Sequence, residues 1–356
     1  MLRFGITHLW TRGLEMYITA TEDNNVITLD KSQKFGNKHI QGMQFKGVIS
    51  MNKEHLFVKL DELNPSVNGE WENRYDYQYS SVSEAVISCL TRHIKDDQFH
   101  SVDYSFHTIV HEDTIKTGTT SPIFLRENEV EQILSSGHTA NDNVCLDINT
   151  YATEVIDKPV AESYKRLTEA LVENGVPEQE AKDFLIKQAA FDLIVGNEDR
   201  IVNPSNFVTA YDVVTKTARP INLDYGRALQ IPVWTSTMEA KYDIEWLEED
   251  IEDFTSSVLS KNNSLIAGLN HQKALEFLNE NGFQPFQIDL QAVYDDLDQL
   301  GEHFKDSPVE KFGTAKITTM KALLEHSLVK ELYIDTAGVL SKDDLKDLND
   351  QQPQVS

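Results

Sequence analysis

The chain is predicted to be an α+β protein, with a β-rich N-terminal part followed by a mainly helical C-terminal part. Three observations predict this order. Short β-branched or aromatic runs separated by polar turns fill residues 16–60. Long helical patterns begin near residue 150. Strand character returns once within the helical part, between residues 204 and 226.

In chain order, the segments MYITA, NVITL, KGVISM and HLFVKL read as strands, with EDNN and MNKE as turns between them. Residues 61–80, with Asn64, Pro65, Asn68 and Gly69, read as a polar loop. A helix then starts near Ser81, capped by Ser81 or Ser83, with an apolar stripe of Val82, Ala85, Val86, Cys89, Leu90 and His93. The clearest helices are 158–174 and 177–195. The second has Pro177 in its first turn, Glu178 and Glu180 beside it, and Gly196 past its end. The run from PSNFVTAYDVVT to ARPINLDYG predicts a hairpin, and helical patterns cover roughly 243–282 and 288–335. The division expected is a β-rich lobe over 1–150, a helical lobe over 151–340 and a polar tail over 341–356.

Composition narrows the class. Apolar residues make up 40% and charged ones 25% of 356 residues, the proportions of a globular protein. No apolar run is long enough to span a bilayer, and the first residues lack the continuous apolar stretch of a signal peptide. A cytoplasmic protein with no membrane association is therefore expected. The net charge of −26 repels phosphate backbones, so general nucleic-acid binding is not expected. An anionic ligand must then be held by a few placed cations, metal ions and backbone N–H groups. Cys89 and Cys145 lie in unrelated segments and read as free thiols.

The most informative segment is FDLIVGNEDRIVNPSNFV, followed by PINLDYGRAL. Phosphoryl transfer needs a carboxylate to orient the attacking hydroxyl and oxygen ligands for Mg²⁺. Asp199 lies just beyond a helix, Asn206 opens the strand NFVT, and Asp224 ends the strand PINL before Gly226. The two strands of one hairpin bring Asn206 and Asp224 together, with Asp199 on the adjoining loop. Singly, each is also a common turn former. Arg200 reads as a structural ion-pair partner.

A second group lies upstream. In FGNKHIQGMQFKGVIS, glycines 36, 42 and 47 flank a turn whose N–H groups can cradle phosphates. Lys59 on HLFVKL shares a face with Phe57, while Leu56 and Val58 take the other. Turned inward, it needs an anionic partner. Glu84, early in the next helix, is the natural carboxylate, and it also suits the helix dipole there. Turned outward, it is an ordinary edge-strand lysine.

Taken in order, G-M-Q-F-K, the strand lysine, the helix glutamate, N-E-D-R…N-F and L-D-Y-G resemble the HipA-like kinases over roughly residues 36–230. The resemblance implies a two-lobed protein-kinase-like fold, distantly related to phosphoinositide kinases, and a Ser/Thr protein kinase using ATP and Mg²⁺. It implies Gly42, Gln44 and Lys46 as phosphate loop, Lys59 as the ATP-phosphate lysine with Glu84 as its partner, Asp199 as catalytic base, and Asn206 and Asp224 as metal ligands. The sequence departs from the family in three ways. The family's metal-binding Asn commonly stands five residues after the Asp, whereas Asn203 is four and Asn206 seven after Asp199; Asn206 is preferred because FVT follows it. The histidine after Asp-Arg is missing, and the start is too compact for the extra N-terminal subdomain of the toxin kinases. The partners expected are a protein with a Ser/Thr acceptor and an antitoxin-like or regulatory protein. Self-phosphorylation at Thr117, Thr119, Thr120 or Ser121 is a further expectation. A lipid or small-molecule kinase and a non-catalytic nucleotide- or partner-binding protein are the alternatives.

Overall fold

The computed structural model describes residues 18–23, 26–29, 44–63, 80–111, 114–123, 126, 128–133, 160–197, 207–223, 225–226, 228–229, 255–256, 259, 266, 269, 271–307 and 309–337. Six strands close into a barrel: β1 (Ile18–Asp23), β2 (Val26–Leu29), β3 (Gln44–Met51), β4 (Glu54–Leu63), β5 (Ser105–His111) and β6 (Thr114–Pro122), in the order β1-β2-β5-β6-β4-β3. β1 and β3 close it in parallel, through Ile18↔Ile49 and Thr19↔Ser50. The β3–β4 turn is Asn52-Lys53, both at positive φ (52° and 71°), which matches the twist of the flanking strands. Alternation sends Val58 and Leu60 of β4 into an apolar cluster with Ile27, Leu29, Ile49 and Ile109, and Lys59 to the opposite face.

That opposite face is covered by helix α1 (Ser80–Thr91), which packs on β4, β5 and β6. Its far side meets α5 (Leu290–Phe304) and α6 (Glu310–Glu325). Every residue from Ser80 to Leu90 is buried, so the single apolar stripe expected from the sequence is replaced by burial all round. The Ser81 and Ser88 hydroxyls are bonded there, Ser88 accepting from the Tyr104 N–H at 2.8 Å and Ser81 donating to Asp61.

A second sheet joins β7 (Glu129–Ile133), β8 (Phe207–Asp212) and β9 (Ala218–Asn222), all antiparallel. The β8–β9 pair is the expected hairpin. Helices α2 (Val160–Glu173) and α3 (Glu178–Val195) match the two clearest sequence patterns within two residues. Gly196 ends α3 in the left-handed conformation (φ 55°, ψ 46°), its N–H returning to the Asp192 carbonyl.

Three expectations need correction. β5, β6 and β7 were not anticipated as strands. The patterns at 243–282 and 288–335 resolve, among the described residues, into α4 (His271–Glu280), α5, α6 and the short α7 (Ser327–Lys330). A parallel strand pair joins β10 (Phe286–Ile288), between the two patterns, to β11 (Tyr333–Asp335), where helix was expected. The larger core joins α1, α3, α5 and α6, with Phe99, Phe191 and Phe286 stacked edge to face or tilted at 4.9–6.5 Å. Among the described residues no helix is long and apolar enough to cross a membrane.

Candidate functional site

Lys59 sits mid-strand on β4 with Lys46 of β3 on one side and Thr119 of β6 on the other, as directly paired residues. The residue is 4% exposed, and its ammonium meets the fully buried Glu84 carboxylate at 2.5 Å. The other Glu84 oxygen accepts from the Thr119 hydroxyl at 3.0 Å. The inward alternative for Lys59 is thus the one realised, with Glu84 as its partner. β6 can lie this close to β4 because residue 118 is glycine: a Cβ there would stand 2.4 Å from the Lys59 carbonyl oxygen.

Two residues along the same face of β4, Asp61 makes a second polar contact with α1. Its carboxylate accepts from the Ser81 N–H at 3.1 Å, from the Ser81 hydroxyl, and from the Thr117 hydroxyl at 2.7 Å. The Ser81 N–H is one of the donors a helix start leaves unpaired, so Asp61 caps α1 from the sheet. Desolvation outweighs these hydrogen bonds and the nearby Lys59 charge, raising the Asp61 carboxyl to about 6. Asp61 lies where β3 and β4 lose register: from Lys46↔Lys59 to Gln44↔Leu63, β3 advances two residues and β4 four. The sequence reading missed Asp61, although the period-2 step from Lys59 was a usable signal.

The hydroxyls expected as self-phosphorylation acceptors are interior. Thr117, Thr119, Thr120 and Ser121 are all buried, and the first three bond Asp61, Glu84 and the His107 ring. In this fold they are interior groups rather than accessible acceptors.

The second half of the expected site approaches along α3 and the β8–β9 hairpin. After Gly196, the buried Asn197 amide donates to the Asp192 carboxylate at 3.3 Å. The hairpin register pairs Phe207 with Asn222 at its open end. Asn222 is fully buried, and its backbone bonds His100 and Val102 at 2.9 and 3.0 Å. Neither atom of its side-chain amide has a hydrogen-bond partner among the described residues. Tyr225 is fully buried against Phe191, its hydroxyl 2.8 Å from that of Ser101.

Of the residues singled out in the sequence, the structure therefore brings Lys59 and Glu84 together. Gln44 and Lys46 are placed by backbone only, in β3. Gly42, Asp199, Arg200, Asn203, Asn206, Asp224 and Cys145 lie outside the described residues. Among the described residues no three His, Cys, Asp or Glu side chains form a metal cluster. Cys89 is a free thiol, pushed up to about 12 by burial.

The barrel with helices packed behind it is consistent with a kinase-like fold. The chain is similar in structure to a Helicobacter pylori proinflammatory kinase, CtkA, over 84% of this chain and 96% of that one, with a TM-score of 0.50 and 14% identity. No protein-family model matches the sequence, and no curated protein matches it.

Proposed function

We propose that the chain is an ATP- and Mg²⁺-dependent, HipA-like kinase that transfers the γ-phosphate to a Ser/Thr hydroxyl of a protein. The observation that carries the reading is the buried Lys59–Glu84 pair, paired across the sheet with Lys46. A buried ammonium is costly to keep unless it is paired, and the Glu84 carboxylate fixes the direction of this one. Two lysines on neighbouring strands supply the cations that a surface of net charge −26 otherwise lacks.

In this reading residues 1–150 form a nucleotide lobe and 151–340 an acceptor lobe, with 341–356 a polar tail. Gly42, Gln44 and Lys46 cradle the phosphates, Lys59 orients them, and Glu84 holds Lys59. Asp199 accepts the acceptor hydroxyl's proton, and Asn206 and Asp224 hold the metal. Asn206 immediately precedes Phe207 and Asp224 follows Asn222 by two residues, so the Phe207↔Asn222 pair is consistent with both serving one site. The unbonded, buried Asn222 amide is a polar demand at this end of the hairpin, which suits a site that takes ions or phosphate oxygens. When bound, Mg²⁺ supplies positive charge to the phosphate oxygens.

The test is transfer from γ-labelled ATP to a generic protein acceptor by wild type, Asp199→Ala and Asp224→Ala, with ATP binding followed by thermal shift. Transfer by wild type that both variants lose, with folding intact, is expected. Unchanged transfer in both variants overturns the site, and Mg-ATP binding without transfer by wild type favours a non-catalytic kinase-like binder.

A further inference from the structure

Helix α6 lies beyond the part of the chain that carries the kinase resemblance, yet it touches both halves of the proposed site. It packs against α1, which carries Glu84, and against α3, which leads toward Asp199. Its crossing with α5 is close: a Cβ on Gly313 would stand 2.2 Å from the Phe304 ring, itself packed edge-on against Phe106 of β5.

One turn further on, Lys316 is 4% exposed within the buried stripe formed by Phe312, Ala315, Thr319 and Met320. Its ammonium donates to the carbonyls of Ala228, at 3.0 Å, and Leu229, and lies 5.2 Å from the centre of the Phe312 ring. Ala228 and Leu229 belong to the turn that follows Asp224. That turn is held on every side: the Ala228 N–H returns to Tyr225 at 2.9 Å, and the Leu229 N–H reaches the last carbonyl of α3, Val195, at 3.0 Å. Leu229 has φ 53°, a left-handed conformation that a branched side chain keeps only when its surroundings impose it. A methionine at 316 would fill the same space without the cost of burying an ammonium. Among the described residues, the lysine adds two hydrogen bonds to consecutive carbonyls of this one turn.

We infer that Lys316 is a positioning residue, which clamps the turn after Asp224 onto the end of α3 and so fixes how Asp224 is presented to a divalent cation. The role of Asp224 rests on the kinase reading; the clamp itself rests on the contacts of Lys316. α6 thereby ties the helix bearing Glu84 to the metal side of the site.

Hydrogen–deuterium exchange on the ligand-free full chain reads the clamp without activity. In wild type the Ala228 and Leu229 amides are expected to exchange as slowly as the core of α6; fast exchange there overturns the inference. Lys316→Met is expected to speed these two amides about tenfold or more, the loss of a charge-assisted hydrogen bond, while α3 and α5 stay protected. It is also expected to raise, about tenfold, the Mg²⁺ concentration at which ATP half-maximally stabilises the protein. Lys316→Arg should restore part of both effects. Unchanged exchange in Lys316→Met, or an unchanged Mg²⁺ requirement, overturns the proposal. If Lys316→Met does not fold, Lys316→Gln is read by the same two criteria. Where the clamp readouts respond as expected but wild type transfers no phosphate, the kinase reading falls and the clamp stands.

Discussion

A double-mutant cycle on Lys59 and Glu84 separates a pair kept for chemistry from one kept for stability. Lys59 is 4% exposed and Glu84 0%, so removing either partner leaves the other charge buried. Such a change costs about 3–5 kcal/mol. Lys59→Met is expected toward the lower end, because Glu84 keeps the Thr119 hydroxyl at 3.0 Å. In the double variant Lys59→Met/Glu84→Met both charges go, and two flexible apolar side chains fill the space. What is lost is the Thr119 bond to Glu84, about 1–3 kcal/mol for an orphaned buried hydroxyl. The double variant is therefore expected to be more stable than either single variant.

The assay is urea unfolding of all four proteins followed by circular dichroism, with phosphate transfer measured in parallel. Stability should partly recover in the double variant while transfer stays lost, since the Lys59 ammonium that orients the phosphates is gone. If the two losses simply add, the charges do not depend on each other and the reasoning fails. If transfer returns with stability, the pair is scaffolding and Lys59 is not the phosphate lysine.

Two further predictions concern the barrel. Asp61 holds its proton more tightly in the folded state, about 6 against 3.8, so its contribution is present below pH 3.8 and lost as pH rises through 6. His107 runs the other way: burial, with a smaller effect of His303, lowers it from 6.5 to about 4, so its contribution is present above pH 6.5 and lost as pH falls toward 4. The two oppose each other between pH 4 and 6, and Asp61→Asn should unmask a rise in stability with pH of up to about 3 kcal/mol, read from urea midpoints across that window. A flat profile in Asp61→Asn counts against both assignments. Gly118→Ala places a methyl 2.4 Å from the Lys59 carbonyl, a backbone atom that cannot swing away cheaply, and 2.8 Å from Ile109 Cδ1. It should cost about 1–3 kcal/mol by calorimetry and weaken ATP binding as Thr119 shifts from Glu84; a neutral result refutes the close β4–β6 approach.

The legible parts of the sequence were those whose contacts are local. β2 to β4 are short runs rich in β-branched, aromatic and aliphatic residues, Asn52-Lys53 makes a turn, and α3 carries Pro177 before its start and Gly196 after its end. β6 was illegible because TIKTGTTSP reads as a polar connection. Its hydroxyls are satisfied by Asp61, Glu84 and His107, which stand 56, 35 and 13 residues away. No periodicity displays that kind of pairing. α1 was under-read for the same reason, since Ser80, Ser81, Ser83 and Ser88 look solvent-facing and are buried. Lys316 was visible only as a lysine inside an apolar helical stripe, a pattern that a snorkelling surface lysine shares. The lysine–glutamate pair emerged from the sequence through order along the chain, and the structure added the partner hydroxyl that fixes it.

The polar bonds on α1 bear on how such a site could be controlled. Swinging α1 away from β4 would break the Lys59–Glu84 pair and both Ser81 bonds to Asp61. It would also break the Thr119 bond to Glu84 and the Tyr104 N–H bond to Ser88. At about 1 kcal/mol each, these sum to on the order of 5 kcal/mol before any apolar surface is exposed. A penalty of that size holds the displaced state to roughly one molecule in several thousand. The helix is covered on its far side by α5 and α6, so it also has no open direction to move in. Control by a partner or by nucleotide therefore has to act on elements other than α1. The turn after Asp224, which Lys316 on α6 and the Val195 carbonyl of α3 both hold, lies outside that constraint.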